Sequence, residues 1–137
     1  MTESGSRLGR PRILVVEDSA DSRELLQHLL SLEGFETLGA CDGLEGLELA
    51  KRERPDLILT DLMMPRLTGA AMIEAIRGDE PSALIPIIAM TAAGSGDAKR
   101  AMTAGATAFV LKPLDLETVV ALCRALLSGA TGAISTS

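Results

Sequence analysis

Aromatic residues are nearly missing from this chain: Phe35 and Phe109 are present, with no Trp and no Tyr. Its core must therefore be aliphatic, built from Leu, Ile, Val, Met and Ala. Cysteine is just as scarce. Cys41 and Cys123 stand alone, which suits two small buried hydrophobes better than a disulfide framework or a metal pair. Positive charge is in deficit, with 13 Lys and Arg against 19 Asp and Glu and a formal charge of −6. The basic residues are scattered except for Arg7, Arg10 and Arg12, which read as part of a solvated arm. General affinity for nucleic-acid backbones needs clustered cations and is not expected. No apolar run approaches the roughly 18 to 20 residues that span a bilayer. The stretch Glu3, Ser4, Gly5 and Ser6 lacks the apolar segment of a secretion signal. These absences point to a reduced, cytoplasmic domain without membrane contact.

What is present is a single domain's worth of apolar sequence. The chain has 137 residues, of which 47% are hydrophobic, enough for a core without disulfides or a structural metal. Residues 1–11 read as a flexible arm and 128–137 as a small-residue tail, leaving 12–127 as the folded domain. Short apolar runs alternate with helical segments. The runs Ile13 to Val16, Leu57 to Thr60, Ile85 to Met90 and Ala108 to Leu111 read as strands buried on both faces. A fifth, Phe35 to Ala40, is mixed and reads as an edge strand. Leu25, Leu26, Leu29 and Leu30 form a helical stripe, with Asp21 and Glu24 as a capping pair and Gly34 as its stop. Asp42 with Glu45 opens a second helix, Met72, Ile73 and Ile76 mark a third, and Asp97 to Ala104 a fourth that ends at Gly105. Asp115 opens the last, striped by Leu116, Val119, Val120, Cys123, Leu126 and Leu127. The pattern is (βα) five times over, an α/β doubly wound parallel sheet of order 2-1-3-4-5. Ligands bind such sheets beyond the carboxyl ends of the strands, at the switch in strand order between strands 1 and 3.

Those strand ends carry chemistry. Glu17 and Asp18 follow strand 1, Asp61 ends strand 3, Thr91 ends strand 4, and Lys112 with Pro113 ends strand 5. Singly, each residue has a bland explanation: an acid after a strand is often a helix cap, and Lys-Pro is often a turn. Together they converge on one rim. Three close carboxylates repel one another, and a hard divalent cation with oxygen ligands, Mg²⁺ or alternatively Mn²⁺, resolves that conflict. A cation, a hydroxyl and an ammonium around a nucleophilic carboxylate make a receiver for a phosphoryl group.

These motifs, Val15-Val16-Glu17-Asp18, Asp61-Leu-Met-Met-Pro65 with Gly69, Met90-Thr91-Ala92 and Leu111-Lys112-Pro113, resemble the receiver domain of two-component response regulators. The resemblance spans residues 12 to about 127 and implies a flavodoxin-like receiver fold. It also implies residue roles. Asp61 would be phosphorylated by a partner histidine kinase or phosphotransfer protein. Asp18, Asp61 and the carbonyl of Met63 would hold Mg²⁺, with Glu17 acting through metal-bound water. Lys112 would contact the acyl phosphate, and Thr91 and Phe109 would form the switch. Phe109 stands where many members have Tyr, so contacts that need a hydroxyl are lost. His28, between leucines on the first helix, reads as a helix residue rather than a phosphoryl donor.

The expected function is a phosphoacceptor switch in a phosphorelay or chemotaxis-type pathway. It would catalyse only its own phosphorylation and dephosphorylation. Output would pass through protein contacts of the helix 4–strand 5–helix 5 face, with no effector domain of its own and no direct DNA binding; a receiver cut from a larger protein is the alternative. Phosphatases of the haloacid dehalogenase type use a similar set, but place the nucleophile on the first strand in an Asp-x-Asp motif, whereas Met63 holds the second position here. A dinucleotide module would need a G-x-G-x-x-G after strand 1, which is missing.

Overall fold

The computed structural model describes residues 9–64 and 66–129. The expected arm over 1–11 and tail over 128–137 lie mostly outside the described residues. Strands and helices alternate as β1 (Arg12–Val16), α1 (Ala20–Leu32), β2 (Glu36–Ala40), α2 (Gly43–Glu53), β3 (Leu57–Asp61), α3 (Gly69–Arg77), β4 (Ile87–Ala92), α4 (Asp97–Ala104), β5 (Ala108–Lys112) and α5 (Leu116–Leu127). A short 3₁₀ turn at Glu80–Ser82 precedes β4. All strand pairings are parallel and the order is β2-β1-β3-β4-β5, the order the sequence predicts.

Side chains alternate across the sheet, so each strand feeds two cores. Ile13, Val15, Leu57, Leu59, Ile88 and Met90 pack with Leu26 and Leu30 of α1 and Val119 and Cys123 of α5. Leu14, Val16, Ile58, Ile87 and Ala89 face the other way, onto Met72, Ile73 and Ile76 of α3 and Ala101 and Ala104 of α4. Burial of each Leu or Ile stabilises the fold by roughly 1.5–3 kcal/mol. With both faces covered, the charged residues of β1 and β3 stand only at strand ends, Arg12 at one end of the sheet and Asp61 at the other.

Several expectations are corrected. The N-cap of α1 is Ser19, which accepts from the N–H of Ser22, and Asp21 lies inside the first turn. The strand β4 starts at Ile87, since Ile85 precedes Pro86, which has no N–H for a ladder. The strand β5 is the second edge of the sheet, and Leu111 on it is 38% exposed rather than buried. Leu25 is 58% exposed, so the α1 stripe that is buried is carried by Leu26 and Leu30. Cys41 is exposed at the end of β2, while Cys123 is in the core. His28 is exposed on α1. Among the described residues no helix is long and apolar enough to cross a membrane.

At the end of the sheet away from the acidic rim, Arg77 ties three segments together. Its Nε donates to the Gly105 carbonyl at 2.8 Å, and its Nη1 to the carbonyls of Ala83 and Ile85 at 3.0 and 2.7 Å. Its Nη2 donates to Thr107 Oγ1 at 3.2 Å. No carboxylate takes part in these bonds: the guanidinium serves as a multiple donor for carbonyls that leave helices and turns unpaired. Arg77→Met keeps most of the stem but strips those carbonyls of their donor. It is expected to destabilise the fold by about 2 kcal/mol, read as a lower urea midpoint at unchanged slope. An unchanged midpoint would show that water replaces the guanidinium without loss.

Candidate functional site

The acidic rim forms because three neighbouring strands end together. β1 lies between β2 and β3, so Glu17 and Asp18 leave the sheet beside Asp61, the last residue of β3. Oxygens of Glu17, Asp18 and Asp61 lie within 4.8 Å of one another. Glu17 and Asp61 are each only 7% exposed, whereas Asp18 faces solvent. Lys112, the last residue of β5, reaches back over the strand ends and donates from Nζ to Asp61 Oδ2 at 3.0 Å. The other oxygen, Oδ1, accepts the N–H groups of Leu62 at 2.8 Å and Met63 at 3.4 Å. Both oxygens of Asp61 are thereby oriented.

Glu17 is held from both sides. Its N–H donates to the carbonyl of Ala40 at 3.0 Å, and its Oε2 accepts from the Ser19 N–H at 3.1 Å. Its carbonyl accepts from Arg23 Nη1 at 2.8 Å. Neither Ser19 nor Arg23 stood out in the sequence. The available signal was a basic residue six positions after Glu17 on the first helix, which is too common to single out.

Burial pushes the Glu17 carboxyl above its ordinary value of 4.5; the Ser19 N–H opposes the rise, Asp61 adds to it, Lys112 opposes it, and Asp18 adds to it. Three carboxylates against one ammonium leave an excess of about two negative charges when all are ionised. An oxygen-only set with such an excess fits a hard divalent cation. The sign of the pH effect follows. A carboxyl whose folded pKa is raised stabilises the fold below its unfolded value, and that contribution is lost as pH rises through the folded value. In metal-free protein, the stability gained by Glu17→Gln should therefore grow as pH rises from below 4.5 upward. Thermal melts of both proteins in chelator, with and without added Mg²⁺, check this. A gap that is flat with pH would overturn it.

Thr91 is 1% exposed, and its hydroxyl donates to the Val110 carbonyl at 3.5 Å, a long bond. Phe109 on β5 is half-buried against the α3–α4 core. The two sit on paired strands, where Thr91 is opposite Leu111 and Ala89 opposite Phe109. The side chain of Met63 is 67% exposed at the start of the β3–α3 loop. The Lys112–Pro113 peptide bond is cis. A groove of about 350 Å³ opens beside Glu17 and Lys112, bounded by Ser22, Leu25 and Leu29 of α1 and by Pro113 and Leu114.

The response regulator receiver domain family matches residues 13–124. The chain belongs to this family. Receivers of this family are signalling switches. The DNA-binding dual master transcriptional regulator RpaA of Synechocystis is 37% identical over 118 residues, 85% of this chain and 49% of that protein. This receiver thus spans about half the length of RpaA. The polar-differentiation response regulator DivK of Brucella anthropi is 34% identical over 119 residues, 86% of this chain and 97% of DivK. The receiver domain of the sensor histidine kinase PA1611 of Pseudomonas aeruginosa matches with a TM-score of 0.83 and 29% identity, covering 88% of this chain and 99% of that one. That structure has a magnesium ion coordinated in its active-site cleft.

Proposed function

We propose that this receiver accepts a phosphoryl group on Asp61 from a phosphohistidine of a partner kinase or phosphotransfer protein. The observation that carries the reading is the setting of Asp61: an oriented carboxylate 3.0 Å from Lys112 Nζ, with Glu17 and Asp18 within 4.8 Å. In the transfer, an Asp61 oxygen attacks phosphorus, the P–N bond breaks, and its electron pair leaves with the imidazole, which takes up a proton. Lys112 neutralises the phosphoryl oxygens as charge builds on them. Asp18, Asp61 and the Met63 carbonyl would hold Mg²⁺, or Mn²⁺ in its place, with Glu17 acting through bound water; the ion supplies charge neutralisation for the incoming group. The groove beside Glu17 and Lys112, with exposed Leu25 on its rim, is the approach for the donor in this cytoplasmic exchange.

The new phosphate oxygens need donors. Thr91 gives up only a 3.5 Å bond to Val110 when it turns toward them. Its movement frees space on β4 that Phe109 can enter by changing rotamer, which alters the α4–β5–α5 face that a downstream protein reads. The experiment is incubation with acetyl phosphate, with and without Mg²⁺, followed by intact mass. Uptake of one hydroxylamine-labile phosphoryl group, only with Mg²⁺, is expected. No uptake under either condition would overturn the proposal.

A further inference from the structure

The β3–α3 loop carries Met63, and Arg66 further along it has a φ of +70°. That left-handed conformation costs free energy for any residue with a Cβ. Asn or Asp would offset the cost with a local bond to the backbone. Arg66 instead reaches across the rim, and its Nε lies 3.0 Å from Asp42 Oδ2.

Asp42 is 6% exposed and caps α2, with Oδ1 accepting from the Glu45 N–H at 2.9 Å. That backbone bond, and then the Arg66 guanidinium, hold its carboxyl below the usual range. Oδ2 also receives a long contact from Cys41 Sγ at 3.7 Å. Since β2 and β3 flank β1, the pair joins the loops that follow the strands on either side of it. The same two loops also touch at Gly43, where an added Cβ would stand 2.2 Å from the Leu67 carbonyl oxygen. The loop is therefore gripped from the α2 side at two successive residues.

We propose, resting on the metal reading above, that the Arg66–Asp42 ion pair is a latch holding the Met63 loop in its metal-ready conformation. Arg66 is then a positioning residue for Mg²⁺ and, through it, for phosphoryl capture.

The variants separate the latch from folding. Arg66→Gly accepts a positive φ without strain but also frees the backbone, so Asp42→Asn and Arg66→Lys isolate the ion pair. Arg66→Lys keeps the charge. Asp42→Asn keeps an acceptor for the Glu45 N–H and removes the charge. Mg²⁺ is titrated into each full-length protein by calorimetry at low ionic strength.

Arg66→Gly should weaken Mg²⁺ binding by about two- to fivefold, with no fall in urea midpoint. Asp42→Asn should weaken it similarly, and the double variant no further than either single one. Arg66→Lys should restore part of the affinity. In metal-free protein, the amides of Met63, Met64 and Leu67 should exchange faster in Arg66→Gly. Wild-type affinity in Arg66→Gly, additive losses in the double variant, or no rescue by Lys would each overturn the latch while leaving the metal reading intact. If wild-type protein binds no Mg²⁺ that Asp18→Asn weakens, the metal reading itself falls.

Discussion

Asp61→Asn is expected to reduce phosphoryl uptake from acetyl phosphate to background, while the protein stays folded. The amide has nearly the shape of the carboxylate, and its oxygen can still accept the Leu62 N–H that holds Oδ1 at 2.8 Å. It carries no anionic oxygen to attack phosphorus, so the covalent route closes. The substitution also removes the partner of Lys112 Nζ, now 3.0 Å away, and lowers the negative charge of the cluster by one. Two consequences should accompany the loss of labelling. Mg²⁺ should bind more weakly, because one of three carboxylates is gone. Metal-free protein should lose little stability, because relief of repulsion with Glu17 and Asp18 offsets the lost ion pair. Intact mass, calorimetry and thermal melts read these three quantities on one sample. Wild-type levels of hydroxylamine-labile label in Asp61→Asn would mean that another side chain is the acceptor.

How much of this was legible in the sequence depends on the distance over which each feature is determined. The strands β1, β3 and β4 were legible because a strand buried on both faces must be a short apolar run, and the run ends where the backbone meets water. Glu17, Asp18, Asp61 and Lys112 were legible for the same reason: each is the first charged residue after such a run or directly follows it, and parallel topology puts those ends on one rim. The cap of α1 was misread because Asp18, Ser19 and Asp21 are all good caps, and the choice is made by the backbone leaving β1. Leu25 and Leu111 read as core because periodicity records which face a residue shares, not where that face ends. The ties made by Arg77 and Arg66 were invisible: Arg66 pairs with a residue on another loop, and Arg77 binds mainly backbone carbonyls, some of them near in sequence, which no side-chain pattern marks. Thr91 is legible as a hydroxyl at a strand end, but the arrangement of Thr91 and Phe109 is a matter of side-chain packing between β4 and β5, and their switch role follows from family resemblance alone.

Gly69→Ala is expected to be severely damaging, as is Gly43→Ala by the same kind of backbone clash, and at Gly69 the cause is the position of Asp61. Gly69 is the first residue of α3, with Thr68 as N-cap. Its N–H donates to the Leu62 carbonyl at 2.9 Å. A Cβ there would lie 2.3 Å from the carbonyl oxygen of Asp61, 2.7 Å from Leu62 Cα and 3.0 Å from Leu62 Cδ2. The first two are backbone atoms that cannot turn aside as a side chain can. The methyl must therefore push α3 off β3 or shift the backbone that carries Asp61. Overpacking of this kind costs roughly 1–3 kcal/mol or more. The intrinsic preference of a helix for Ala over Gly, about 1 kcal/mol, acts in the opposite direction and is the smaller effect against a backbone clash. Gly78, just past the other end of the same helix, supplies the comparison. A Cβ there meets only the Glu74 and Ala75 carbonyl oxygens, at 3.6 and 3.8 Å, and its φ of −86° suits any residue. Gly78→Ala should be neutral or slightly stabilising. Gly69→Ala should lower the urea midpoint by an amount equivalent to about 2–3 kcal/mol, and should lose phosphoryl uptake even under conditions where the folded fraction is restored. Equal stability and equal uptake in the two variants would show that α3 can move away from β3 freely, and that Asp61 is not fixed by the close packing of Gly69 on its carbonyl.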